Sequence, residues 1–409
     1  MLIEATENHG VRETATGGAT VLIVGLFFLW GAANNLNDVL VAHFRQLFRL
    51  SDLQSGLVQS AFYLGYFCFA IPASLAAERF GYKRAVIAGL LLFAAGALLF
   101  WPASIAASYP FFLLGLFVIA SGLAFLETAA NPMVMVLGSA EGAERRLNLA
   151  QAFNPLGSIA GVALGAVLIL SGPGGEADAG AVRLPYLGIA LVVLAWAALL
   201  AATPFPAAAT VATRGTGSPF AGYGTLLRRP RYMAGVAAQF FYVGAQVGIW
   251  SYLIRYVSAA VPAFSEQHAA GLLTLSLALF MGGRFVGTAL LARIDGARLM
   301  LAFALIDTVL AVVAATLGGW VGVAALVLSS FFMSIMYPTI FVLSLRGLGP
   351  LTKPGASMIV MAIIGGAVIT AVMGLVSDVS GAIRWAMLVP AVCFLVVAAF
   401  ARLHRGDRV

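Results

Sequence analysis

Apolar residues run along this chain in blocks long enough to cross a lipid bilayer, separated by short polar breaks. A crossing needs about 20 mainly apolar residues, because a helix rises about 1.5 Å per residue and the hydrocarbon layer is about 30 Å thick. By that measure the pattern predicts helices over 20–43, 55–77, 84–104, 109–136, 148–171 and 184–203. A second set is predicted over 232–256, 270–292, 299–317, 320–345, 356–376 and 383–402. Between the sets, Pro204 to Arg231 is rich in Pro, Gly, Ser and Thr and carries Arg214, Arg228, Arg229 and Arg231. The expected plan is a tail over 1–19, a six-helix bundle over 20–203, a cytosolic linker over 204–231, a second six-helix bundle over 232–402 and a tail over 403–409.

Composition agrees with that reading and removes the main alternative. Of 409 residues, 62% are hydrophobic and only 10% are charged, against roughly 25% in soluble domains. Such a chain cannot build a charged outer surface, and single soluble cores stop growing at about 250–300 residues. Lipid must cover most of the exterior.

The net charge of +7 does not mark a nucleic-acid surface, because the basic residues sit in short tracts between apolar runs. With both termini inside, the cytosolic set is Arg12, Arg79, Lys83, Arg84, Arg145, Arg146, the four linker arginines, Arg293, Arg298, Arg346, Lys353, Arg402, Arg405 and Arg408. Outside fall Arg45, Arg49, Arg183, Arg255 and Arg384, and Arg284 lies within a span. Seventeen of 23 against five is a strong positive-inside bias, which predicts an inner-membrane protein with both termini cytoplasmic. The first residues lack an apolar core ending in a small-residue cleavage site, so no signal peptide is expected. Cys68 and Cys393 lie within apolar runs and read as packing residues.

Charge at bilayer depth is costly, so ionisable groups inside spans are functional candidates. Asp38, Glu127, Arg284 and Asp307 are those groups. Trp30, Asn34 and Asp38 stack at i, i+4 and i+8, with Asn35 beside them. An aromatic face next to amides and a carboxylate suits a sugar, whose C–H face packs on rings while its hydroxyls need partners. The structural alternative is that these asparagines join helices by hydrogen bonds.

Glu127 precedes Asn131 by one turn, and Pro132 follows. No cation stands near it on its own helix, and burial raises a carboxyl pKa toward the range a proton carrier needs. Each acid lies roughly 25–30 Å along its helix. Helix one runs outward and helix four inward, so Asp38 is expected nearer the outside and Glu127 nearer the cytosol.

Helix five offers Gln151, Asn154 and Ser158 on one face, and helix seven offers Gln239, Tyr242, Gln246 and Trp250. Polar stripes within membrane spans are expected to line a cavity. In helix ten Tyr337 precedes Pro338; its phenol either reaches a substrate or caps carbonyls freed by the proline. Arg284 and Asp307 fall at similar depth on consecutive helices and are expected to neutralise each other.

No GxxxxGK phosphate cradle appears, which excludes a P-loop ATP-driven pump. The histidines His9, His43, His268 and His404 have no ligand spacing, so neither a metal nor a cofactor is expected.

Two basic turns with glycine, Glu78-Arg79-Phe80-Gly81-Tyr82-Lys83-Arg84 and the Arg293–Gly296–Arg298 stretch, resemble the loop motif of the major facilitator superfamily, with Glu78 in place of its usual aspartate. Eight segments in order resemble the fucose permease family. In the first half these are NNLND, QSAFYLGYF, LETAANP and LNLAQAFN; in the second, QFFYVGAQVGIWSYLIRY, MGGRFVGT, MSIMYPTIF and MAIIGGAVIT.

That resemblance implies the superfamily fold, an all-α membrane protein of twelve transmembrane helices in two pseudo-symmetric six-helix bundles. It also implies sugar–proton symport, with Asp38 and Glu127 as coupling acids. Trp30, Asn35, Gln151, Asn154 and Tyr337 match the family's sugar-cavity residues. The sequence departs from the family pattern at Met336, where glutamine stands, and at Pro155, where serine stands. Asp307 has no family counterpart.

The expected function is import of a monosaccharide, L-fucose or a related hexose, by a monomer in the bilayer using protons, with no nucleic-acid partner. The alternatives are a glucose/galactose symporter with proton or sodium coupling, or a drug or metabolite exporter of the same superfamily.

Overall fold

The computed structural model describes residues 18–32, 44, 47–48, 52–165, 179–210, 220–264 and 266–405. Asn34, Asn35 and Asp38 therefore lie outside the described residues. The first-half helices are α1 (Gly18–Ala32), α2 (Asp52–Phe80), α3 (Tyr82–Ile105), α4 (Tyr109–Val136), α5 (Ala143–Gln151), α6 (Phe153–Gly165) and α7 (Arg183–Ala202). Short helices α8 (Ala207–Thr210) and α9 (Ala221–Leu227) occupy part of the expected linker. Then come α10 (Pro230–Ala260), α11 (Glu266–Leu290), α12 (Gly296–Thr316), α13 (Gly319–Met333), α14 (Met336–Leu345), α15 (Thr352–Met361), α16 (Gly365–Ser380) and α17 (Leu388–Leu403).

Among the described residues, nine helices are long and apolar enough to cross a membrane. The other three expected spans fall short for visible reasons. The described part of helix one ends at Ala32, helix five is interrupted at Ala152, and α10 is made less apolar by the polar stripe.

Of the spans expected to be continuous, two break ahead of a proline, and the eleventh passes through a 3-10 turn, Ala362–Ile364, between α15 and α16. Helix five parts into α5 and α6 three residues before Pro155, and helix ten parts into α13 and α14 ahead of Pro338. The cause is local: proline removes the N–H for the carbonyl four residues back and its ring crowds that carbonyl. Pro132, by contrast, is accommodated within an unbroken α4.

The chain divides into two compact units. One holds 1–140, 156–219 and 352–360; the other holds 141–155, 220–351 and 361–409. In the first, α4 packs on α3 and α2, and α7 packs on α3. The α3–α4 seam is cut to backbone contact by paired glycines. A Cβ at Gly122 would lie 2.5 Å from the Gly89 carbonyl oxygen, and one at Gly96 would lie 2.8 Å from that of Gly115. Small residues are what allow helices to approach this closely in lipid.

A second seam joins α1 to α6. Gly157 and Gly161, one turn apart, face the carbonyl oxygens of Phe28 and Ala32, where a Cβ would stand 1.9 Å and 2.3 Å away. In the second unit α12 packs on α17 and α13, α10 packs on α17 and α16, and α5 lies against α11 and α14.

The two basic turns use their glycines differently. Gly81 has φ 83°, and a Cβ there would sit 2.4 Å from the Thr210 carbonyl oxygen, so both conformation and room require glycine. Lys83 beside it donates to the carbonyls of Ala201 and Thr203 at 2.9 and 2.8 Å, placing a cation on the C-terminal end of α7. At the other turn Asp295 accepts from the Arg298 N–H at 3.0 Å and caps α12. Gly296 there makes room for the Glu144 carboxylate.

Candidate functional site

The most enclosed spans of the two halves are α4 and the broken helix α13–α14, whereas α7 and α11 are peripheral. Candidate polar residues lie on the enclosed elements. On α4, Glu127 is 5% exposed and Asn131 and Thr128 are buried with it. Trp30 on α1 is also buried, and its indole N–H donates to the Tyr66 hydroxyl on α2 at 3.0 Å. Phe27 flanks its ring at 5.6 Å. With the polar edge occupied, the ring face is the part of Trp30 left for an apolar surface.

On the second unit, Gln151 ends α5 buried, and Asn154 in the first turn of α6 is half-buried. The helix-seven stripe divides by depth. Gln239 is fully buried, and neither atom of its amide has a hydrogen-bond partner among the described residues. Such a group costs about 1–3 kcal/mol unless something satisfies it, which makes it a candidate for water or ligand. Tyr242 is buried and donates to the Met333 carbonyl at 3.0 Å. Gln246 is half-buried. Trp250 donates to the Ser330 hydroxyl at 3.0 Å, with its ring edge-on to Phe280 at 5.0 Å. The structure brings Tyr242 and Tyr337 together, ring centres 6.4 Å apart.

The expected Arg284–Asp307 pair does not form. Arg284 Nε donates to the Ser334 carbonyl at 3.0 Å, and Nη1 donates to the carbonyl and, at 3.2 Å, to the side-chain oxygen of Gln151. Asp307 is 0% exposed and neither carboxyl oxygen has a hydrogen-bond partner among the described residues. Similar depth put the two residues on one level, but level says nothing about which way each side chain faces.

A further contact was not anticipated. Glu144 on α5 and Arg346, just after α14, form an ion pair at 2.5 Å. Burial holds the Glu144 carboxyl above the ordinary carboxylate range, with Arg346 pulling it back and Asp295 pushing it further up. The available signal was the charge count, which assigned Arg346 to a cytosolic turn without naming its acid.

Helical spans, enclosed polar residues and paired basic turns together define a polytopic transporter, and the chain belongs to the Major Facilitator Superfamily, whose model matches residues 22–360. It is a multi-pass membrane protein and not an enzyme, and the fold class expected from the sequence holds. It is 46% identical to the L-fucose-proton symporter of Escherichia coli (strain K12) over 403 residues, 94% of this chain and 92% of that protein. It is 36% identical to the glucose/galactose transporter of Brucella abortus biovar 1 over 401 residues, 96% of each. Among solved structures it is similar to the fucose:proton symporter of Escherichia coli (a single-residue variant), at 44% identity and a TM-score of 0.86, covering 95% of this chain and 98% of that one.

Proposed function

We propose that this chain is a proton-coupled symporter that imports a monosaccharide, L-fucose or a related hexose, by alternating access. The observation that carries the reading is Glu127, a carboxyl enclosed at bilayer depth on α4, in a chain 46% identical to an L-fucose-proton symporter. An acid so placed is costly unless its protonation is used.

In the cycle, Asp38 accepts a proton from the outside and the sugar binds against Trp30, Asn34, Asn35, Gln151, Asn154, Gln239, Tyr242, Gln246, Trp250 and Tyr337. The Trp30 ring takes the C–H face, while the amide of Gln239, unpartnered among the described residues, takes a hydroxyl. Glu127 couples its protonation to sugar binding and inward opening. Sugar shifts that equilibrium only by its differential affinity for the two states, so the acids must hold their protons differently in each. The transporter works as a monomer in the inner membrane with both termini cytoplasmic, a topology supported by the distribution of Lys and Arg. The two six-helix bundles, 20–203 and 232–402, form the moving halves, and 204–231 is their cytosolic linker.

The test is uptake of labelled L-fucose into proteoliposomes under an imposed pH gradient. Glu127→Gln is expected to abolish accumulation while sugar exchange persists; accumulation at the wild-type level would refute the coupling role. A glucose/galactose substrate is the second reading, favoured by the 36% identity to the Brucella transporter. Competition of the same uptake by D-glucose or D-galactose more strongly than by L-fucose would select it.

A further inference from the structure

Each interrupted helix leaves one carbonyl without its helical donor. Pro155 cannot bond the carbonyl of Gln151, four residues back, and Pro338 cannot bond that of Ser334. A buried carbonyl must find another partner or cost free energy. One side chain serves both: Arg284 donates through Nε to Ser334 and through Nη1 to Gln151, from a buried position over the Phe280 ring at 4.8 Å.

The geometry has a second component. Gln151 is the last residue of α5, and Ser334 directly follows the last residue of α13. Both carbonyls therefore belong to C-terminal helix ends, where the macrodipole favours a cation. The guanidinium sits where two half-helices end, with Asp307 absent from its partners. Arginine offers a rigid planar fork that holds two acceptors at fixed angles, whereas a lysine presents its donors from a flexible, rotating ammonium.

We propose that Arg284 is a positioning residue of the sugar site. It replaces the two hydrogen bonds that Pro155 and Pro338 remove, and so fixes the break that presents Gln151 and Asn154 and the break that carries Tyr337. Its hold on Gln151 is double, since the side-chain oxygen also accepts at 3.2 Å, which fixes the orientation of that amide. The inference rests on the assignment of Gln151, Asn154 and Tyr337 to the sugar site.

The experiment compares Arg284→Gln in two backgrounds, wild type and Pro155→Ala/Pro338→Ala, with L-fucose affinity and melting temperature measured on monodisperse protein. In the wild-type background Arg284→Gln is expected to weaken L-fucose binding by about tenfold or more and to lower the melting temperature, and Arg284→Lys is not expected to restore affinity. In the alanine background the new N–H groups re-bond both carbonyls, so Arg284→Gln should cause little further loss in either measure. Should Arg284→Gln not fold alone, recovery of folded protein in the alanine background supports the same conclusion.

Folded Arg284→Gln with wild-type affinity would overturn the proposal, as would equal damage in both backgrounds or failure to fold in both. Asn154→Ala and Gln151→Ala test the underlying assignment separately. If both bind L-fucose normally, the positioning role is overturned, and the background-dependent melting shift still reports whether Arg284 bridges the two breaks.

Discussion

Gly157→Ala tests how closely α1 and α6 must approach for transport. The added Cβ would stand 1.9 Å from the Phe28 carbonyl oxygen and 3.0 Å from the Ala32 nitrogen, where ordinary contact begins at 3.4 Å. Relief requires a separation of about 1.5 Å, the difference between 3.4 and 1.9 Å, and backbone atoms cannot rotate away as a side-chain tip can. Gly161 lies one turn on and faces the Ala32 carbonyl at 2.3 Å, so the whole seam must open. Binding groups must hold their places within roughly 0.5 Å, and a misplacement of about 1 Å costs about a hundredfold in well-fitted sites. Because α1 carries Trp30 and α6 carries Ser158, the expected outcome is a ten- to hundredfold loss in kcat/KM for L-fucose uptake, at a stability cost of about 1–3 kcal/mol from overpacking.

The assay is initial uptake rate in proteoliposomes together with a thermal melt. Gly188→Ala on α7, where an added Cβ meets nothing within 4 Å, is the matched control and should leave uptake unchanged. Wild-type uptake by Gly157→Ala and by Gly161→Ala would refute the reasoning that this seam sets the site.

Two further outcomes follow from buried charge. Asp307→Leu removes a fully buried acid with unpartnered oxygens, so the melting temperature should hold or rise; loss of accumulation with normal exchange would instead make Asp307 a proton site. Arg346→Ala strips the counter-ion from buried Glu144 and should cost about 1–3 kcal/mol, because Arg346 itself is part-exposed, most of it recovered by adding Glu144→Gln. Since the Glu144 carboxyl is held above its ordinary pKa, the packed state favours its protonated form. The contribution is therefore full at acid pH and lost as pH rises through the elevated value, so Arg346→Ala should melt lowest at alkaline pH, as a thermal scan across pH would read.

Most of the fold was legible because hydropathy is a property of twenty-residue blocks, and neither register nor partner is needed to see it. Glu127, Gln151 and Trp30 were legible for a related reason: polar groups in lipid must face protein, and all three are buried. Pro338 announced the carbonyls it would free, whereas Pro155 stood out only as a departure from the family pattern. What filled those carbonyls was not legible, since Arg284 lies 133 residues from Gln151 in the chain and only the packed bundle joins them. The supposed Arg284–Asp307 pair failed on the same ground, because counting residues along a helix gives height and leaves azimuth undetermined. Tyr242 and Trp250 show a milder version. The spacing identified their stripe, while the packed structure gave the phenol to Met333 and the indole N–H to Ser330.

The hydrogen bond between Trp30 and Tyr66 has an optical consequence. Indole emission responds to polarity and to the state of its N–H, and this indole is buried with its N–H tied to one phenol. Trp101 and Trp320 are 43% and 52% exposed and are not among the proposed sugar-binding residues. Of the six tryptophans, Trp30 and Trp250 thus stand at the proposed site, so occupancy can be read from emitted light without any attached dye, with Trp30→Phe and Trp250→Phe assigning the signal.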